Sequence, residues 1–235
     1  MSILRYCYGM DSLERHRAMA AVIREALPAP ATLLDVGGEA NIRCNHLGRF
    51  LKGYDISTLN AYRQSDVTYE GGRLPFADNE FDAVVSLDTA EHVPRADRKA
   101  WIEDFFRVAR KKVIICAPWG SEYQSGVDRE LNELFKELFG HEHHYLAEHV
   151  ACTMPDIPEI REWVGDRDYK LYFDGDARIY RKHLITLFTV QKKGGPLKTP
   201  LKLLHQFTTL LDLKSLHLLN EPHPHTRRWY LSVSV

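Results

Sequence analysis

The sequence predicts an α/β fold with a mostly parallel sheet and helices on both of its faces. Three observations carry this. Short apolar strands alternate with amphipathic helices through the first half of the chain, as βαβ units require. The run Leu33-Leu34-Asp35-Val36-Gly37-Gly38 is a buried strand ending in a glycine turn. The run Phe81-Asp82-Ala83-Val84-Val85-Ser86-Leu87 has little polarity on either side, the mark of a strand covered on both faces.

Residues 11–27 are predicted as a helix: Asp11 and Glu14 fit a capping pattern, Leu13, Met19, Val22, Ile23 and Leu27 can share a face, and Pro28 and Pro30 stop it. Residues 31–36 form the first strand. A short helix is expected within 42–50, a second strand over 51–56 and a weak third near 62–68. Strand 81–87 is followed by a helix over 97–110, with Trp101, Phe105 and Val108 inward, and by a fifth strand over 112–117 that Pro118 ends. Right-handed crossovers then put helices on both faces. In the second half, helices are expected over 128–139, 157–164 and 177–190, and strands over 169–173 and 226–235. A polar, histidine-rich connector separates the first two of those helices. The leucine-rich segment 197–218 reads as a helix covering the sheet or closing a pocket, with a dimer contact or a weak membrane-surface helix as the sharper alternatives. The final strand is expected to return to the same sheet, so residues 1–235 are read as a single domain in which 120–220 supply substrate-side or lid elements.

Composition narrows the function. The 235 residues are 44% hydrophobic and 27% charged, ordinary for a globular protein with a sizeable core. With 31 basic and 32 acidic residues the net charge is −1, which gives no electrostatic case for a nucleic-acid partner. No stretch approaches the length of a transmembrane helix, and the N-terminal residues do not read as a signal peptide. The four cysteines, Cys7, Cys44, Cys116 and Cys152, form no CxxC pair, so free thiols and a cytoplasmic setting are expected.

The chemistry-bearing residues gather near strand ends. Gly37 and Gly38 let a ligand approach the main chain, and Asp35 can accept a hydrogen bond from a ligand ammonium or orient the turn. Asp55, 20 residues on, is read as ending the second strand, where a carboxylate can accept from the ribose hydroxyls of a nucleoside cofactor. Asp66 could receive an adenine amine, with Val67 against the ring. The stretch His141-Glu142-His143-His144-Tyr145-Leu146-Ala147-Glu148-His149 invites a metal reading, but Tyr145 stands where both HExxH and HxxEH need histidine. No metal is therefore expected. His144 and His149 are read instead as lining a substrate opening, with Trp119 walling it.

The run Leu74-Pro-Phe-Ala-Asp-Asn-Glu-Phe-Asp-Ala-Val-Val-Ser-Leu-Asp-Thr-Ala-Glu-His-Val93, followed by residues 107–118, resembles the class I S-adenosylmethionine (SAM)-dependent methyltransferase family in its small-molecule branch. The likeness is strong over residues 30–120. It implies a Rossmann-like, doubly wound seven-stranded sheet with an antiparallel last strand, and SAM at the carboxyl ends of the strands. On this resemblance Asp35, Gly37 and Gly38 match the first motif, Asp55 and Ile56 the ribose site, Asp66 and Val67 the adenine site, and Leu87 and Asp88 the segment under the cofactor. The family usually has further glycines where this chain has Glu39 and Asn41. The implied activity is methyl transfer to a small-molecule or glycan-like acceptor. His92 is the first candidate for base or substrate orienter, with Glu91 and Asp88 as second choices. The alternatives are a non-catalytic protein that keeps the fold and acts through a partner, and a nicotinamide-dependent oxidoreductase, which would want the GxGxxG that this turn lacks.

Overall fold

A computed structural model describes residues 10–38, 47–61, 65–195, 199–200 and 218–235. Seven strands form one sheet in the order β3-β2-β1-β4-β5-β7-β6. They are β1 (Ala31–Val36), β2 (Tyr54–Asn60), β3 (Val67–Thr68), β4 (Phe81–Leu87), β5 (Ala109–Pro118), β6 (Tyr169–Asp176) and β7 (Thr226–Ser234). β7 runs antiparallel to both β5 and β6, and the remaining pairs are parallel. The α/β, mostly parallel sheet with an antiparallel last strand is thus the observed architecture.

The alternation of side chains along each strand builds two cores. On one face Leu34, Val36, Leu59, Val84, Val113, Ile115, Trp229 and Leu231 meet Ile102 and Phe105 of α3 (Arg95–Val108) and Ile160 and Trp163 of α6 (Ile157–Val164). On the other, Leu33, Ala83, Val85, Ile114, Cys116 and Tyr230 meet Ala18, Met19, Val22 and Ile23 of α1 (Met10–Ala26) and Leu47 of α2 (Leu47–Phe50). A third, smaller cluster joins α4 (Glu122–Phe139), α5 (His144–Cys152) and α7 (Ala177–Lys193) through Leu131, Phe135, Leu146, Tyr180 and Phe188.

Several expectations need correction. β2 starts later and runs further than 51–56, because Thr58 and Leu59 continue the buried strand. α4 starts at Glu122 rather than 128: Ser121 caps it by accepting from the Gln124 amide at 3.1 Å. The histidine-rich connector contains a helix, α5. Asp11 lies inside α1 rather than ahead of it, and its carboxylate accepts from Arg228 Nη1 at 2.8 Å. Most of segment 197–218, with its helix and dimer readings, lies outside the described residues, as do Glu39 and Asn41.

Candidate active site

A cleft of about 990 Å3 opens at the carboxyl ends of β1, β2 and β4, where open α/β sheets take their ligands. Its floor is Val36 and Gly37 after β1, Leu59 and Asn60 at the end of β2, and Thr89 after β4. Trp101 of α3 and the loop from Tyr69 to Arg73 form its walls. Gly37 has φ +90, and a Cβ there would fall 2.1 Å from Thr89 Oγ1. Glycine is therefore required both by backbone conformation and by space. Asn60 fixes the turn from the second strand by donating from Nδ2 to the Gly37 carbonyl at 2.9 Å.

Arg107 holds the outer wall. Its guanidinium donates to the carbonyls of Phe76 at 2.8 Å and Leu74 at 3.0 Å and to Asp78 at 2.9 Å. These contacts tie the segment before β4 to α3, a role for charge that helps fix the cleft's shape.

The expected cofactor residues divide. Gly37 lines the cleft, and Asp35 lies buried just beneath it. The Asp35 carboxyl sits so close to Gly38 that a Cβ there would fall 2.3 Å from Oδ2, so Gly38 too must be small. Burial pushes the Asp35 pKa up to about 7 against the pull of Arg15. Asp55 is elsewhere. It is exposed and pairs in register with Thr32, at the start of β2. Five residues of strand put Asn60 roughly 16 Å further along, and Asn60 is the residue at the cleft. Ile56 packs in the α1-side core. Asp66 clamps β2, accepting from the Thr58 amide and hydroxyl, both at 2.8 Å. Val67 pairs with Leu59, and Tyr69 two residues on lines the cleft.

Leu87 packs in the α1-side core. Asp88, with φ 44, turns its carboxylate away from the cleft into an internal ion network. Arg228 Nη2 and Arg15 Nη1 each donate to Oδ2 at 2.6 Å, and Arg228 also bonds Asp11. Burial alone would raise the Asp88 pKa, but the two arginines hold it well below the carboxylate range.

A second polar cluster adjoins the cleft at His92. The strand end β4 leads through Thr89 into a 3₁₀ turn, Ala90–His92, which delivers Glu91 and His92 side by side. α5 brings His149 against them, with ring centroids of His92 and His149 at 5.1 Å. Both histidine Nε2 atoms lie 3.9 Å from the same oxygen, Glu91 Oε1. His149 is oriented from behind through Nδ1 by Asp128 at 2.7 Å, and His92 Nδ1 lies 2.7 Å from Glu148 as an ion-pair contact without hydrogen-bond geometry. Gln124 in turn donates to Asp128 at 2.9 Å. Buried Arg98 braces the cluster, donating to Val93 O and Cys152 O, both at 2.9 Å, and pairing with Glu159 at 3.1 Å.

Glu91 is fully buried, and neither of its carboxylate oxygens accepts a hydrogen bond from another described residue. Burial and the Asp88 charge push its pKa up to about 8, against the pull of His149. Burial and the neighbouring His149 lower the His92 pKa despite Glu148. For His149, burial would do the same, but Asp128 and Glu91 outweigh it and the pKa rises.

The expected substrate residues also divide. His149 is buried in this cluster. His144 is exposed and pairs with Glu148 at 3.4 Å. Trp119 packs against Phe173, with centroids at 5.6 Å, and does not line the cleft. Sequence reasoning missed Asn60, the Tyr69–Arg73 loop and Asp128. The pair Gly71-Gly72 was the available signal for the loop.

Residues 18–117 match the family model of a methyltransferase domain. A chloroplast protein of Oryza sativa subsp. japonica assigned as a tocopherol O-methyltransferase is 29% identical over 125 residues, covering 46% of this chain. The match spans 34% of that relative's own length. Among solved structures, a Galdieria sulphuraria protein assigned as a sarcosine dimethylglycine methyltransferase aligns with TM-score 0.53 at 14% identity, covering 93% of this chain and 83% of that one. Phosphoethanolamine N-methyltransferase 2 of Haemonchus contortus aligns with TM-score 0.51 at 15% identity, over 92% of this chain and 52% of that one. The plantazolicin methyltransferase BpumL, solved with S-adenosylhomocysteine, gives TM-score 0.51 at 8% identity, over 96% and 84%. Residues 18–117 are thus similar to a methyltransferase domain, and the chain shares its fold with these solved methyltransferases.

Proposed function

We propose that this protein transfers a methyl group from SAM to a small-molecule acceptor and releases S-adenosylhomocysteine. The observation that carries the reading is the cleft built on the Gly37 turn, inside the region that matches the methyltransferase domain. The residues fit the cofactor. The turn admits no side chain at Gly37, the walls are largely apolar with aromatic Trp101 and Tyr69, and Asn60 places an amide at the end of β2.

Asn60 would hold the ribose hydroxyls, in the place expected of Asp55. Trp101 and Tyr69 would offer apolar surface to the adenine. Asp35, buried and short of counter-charge, would face the amino-acid end through the turn. When bound, SAM supplies an electrophilic methyl group on sulfonium sulfur. The chain's own work is to place the acceptor in line with that group, to exclude water and to manage the acceptor's proton. His92 suits the handling of that proton. It lines the cleft, and its lowered pKa keeps it neutral and able to take a proton near pH 7. Glu91 and His149 position it.

The hydroxyl-methylating assignment of the rice relative supports an oxygen acceptor, a glycan-like metabolite among them. The thiols of Cys116 and Cys152 are free, which supports a reducing, cytoplasmic setting. No helix among the described residues is long and apolar enough to cross a membrane. The substrate-side role of residues 120–220 within one domain is supported by α5, which brings His149 to the cluster.

The test is release of S-adenosylhomocysteine, followed by mass spectrometry, from protein given SAM and a panel of hydroxyl-bearing metabolites. Acceptor-dependent release supports the reading. SAM binding without turnover on any acceptor class would favour the non-catalytic alternative.

A further inference from the structure

We propose that Glu91, His92 and His149 form a mononuclear binding site for a divalent transition-metal ion at the edge of the cleft. One ligand atom from each of the three lies within 4.8 Å of the others. Neighbouring ligands of a tetrahedral ion at about 2.1 Å are roughly 3.4 Å apart. The two 3.9 Å separations at Glu91 Oε1 would thus close by about half an ångström on binding.

Three further features point to an ion rather than to packing. The Glu91 carboxylate is fully buried yet has no hydrogen-bond partner among the described residues, an expensive arrangement unless a cation completes it. Asp128 engages His149 through Nδ1 at 2.7 Å, and the Glu148 carboxylate lies 2.7 Å from His92 Nδ1 without hydrogen-bond geometry. A carboxylate bonded at Nδ1 draws the ring proton there and leaves the His149 Nε2 lone pair, 3.9 Å from Glu91 Oε1, available to an ion. That carboxylate–histidine backing is how metal ligands are oriented and made more basic. Finally, Arg98, Gln124 and Asp128 hold the surrounding elements rigidly, as a preformed site needs.

Two imidazoles and one carboxylate suit zinc, manganese, cobalt or iron(II), and three protein ligands leave a position open. His92 belongs to both the cluster and the cleft, so an exogenous ligand would reach that position from the cleft side. Ion binding itself is independent of the methyl-transfer reading; the role given to the ion rests on it. A hydroxyl bound to the ion would be acidified. Its proton would pass to water, the new O–C bond would form as the S–C bond breaks, and the electron pair would leave on sulfur. His92 would then act as a ligand rather than as the proton acceptor.

The experiment strips the full-length protein with chelator and dialyses it separately against Zn2+ and Co2+. Metal is counted by plasma emission, and the Co2+ form is read by its visible ligand-field absorption. One equivalent per chain with cobalt bands is expected, weakened at least tenfold in Glu91→Gln and His149→Gln. His141→Ala, an exposed histidine outside the cluster, should bind as wild type. Asp128→Asn keeps all three ligands and should weaken binding by about tenfold, which covers the case in which a ligand variant fails to fold. No stoichiometric metal on wild-type protein, or undiminished binding in folded Glu91→Gln, would overturn the proposal. A SAM titration of the same preparation is read independently, so loss of metal and loss of cofactor are distinguishable.

Discussion

Asp88 and Glu91 are buried carboxylates three residues apart on one turn, and their surroundings are opposite. Asp88 is saturated: Arg15 and Arg228 give it three contacts of 3.0 Å or less, and Arg228 reaches on to Asp11. Its pKa is driven down. Glu91 sits among two histidines, without a hydrogen bond from another described residue, and its pKa is driven up to about 8. The contrast separates scaffolding from chemistry in a polar interior. A satisfied buried charge binds elements together, here α1, β4 and β7. An unsatisfied carboxyl held in place by braced neighbours, with its pKa driven up, is a candidate for binding or proton chemistry.

The largest effect should come from breaking the satisfied side. Asp88→Ala leaves Arg15 and Arg228 buried without their common partner, and urea unfolding should report a loss of about 3–5 kcal/mol. Glu91→Gln should give the reverse pattern. Its stability should stay within about 1 kcal/mol of wild type, because no hydrogen bond is lost, while turnover falls by about a hundredfold or more. Equal stability losses in the two variants would erase the contrast.

A smaller effect is expected behind the cluster. Glu148→Gln keeps the shape but weakens the hold on His92, and should lower kcat by about threefold to tenfold with SAM affinity unchanged. A matching change in SAM affinity would place Glu148 in the cofactor site instead. A separate signature is in the pH dependence. The folded-state pKa of Asp35 is raised from 3.8 to about 7, so the native state binds its proton more tightly than the unfolded chain does. Its contribution to stability is present below pH 3.8 and is lost as pH rises to about 7. Unfolding free energies of Asp35→Asn measured from about pH 4 to 7 should lack that decline. An identical slope in both proteins would mean that Asp35 is not the titrating group.

Much of the fold was legible because it is local. The bounds of β1, β4 and α6 follow from apolar runs closed by Gly37, Asp88 and Gly165, and the antiparallel return of β7 agrees with the family resemblance. The end of β2 was not legible, since Ser57 and Thr58 look like a turn after Ile56. The strand continues because Ser57, Thr58 and Leu59 stay in register with β1, and Asp66, eight residues on, also bonds Thr58. That single misread end put Asp55 at the expected strand end, whereas Asn60 is the β2 residue that lines the cleft. The cluster was half legible. Glu91, His92 and His149 are visible as residue types, but Asp128 and Arg98 reach them only through the packing of α3, α4 and α5, which no spacing in the sequence encodes.

The position of the cofactor is the claim on which the site's chemistry depends. Calorimetric titration with SAM of wild type, Asn60→Ala and Asp55→Ala addresses it in one series. Saturable binding to wild type, at least tenfold weaker in Asn60→Ala and unchanged in Asp55→Ala, is the predicted result. Weakened binding in Asp55→Ala with Asn60→Ala unaffected would contradict the cleft assignment.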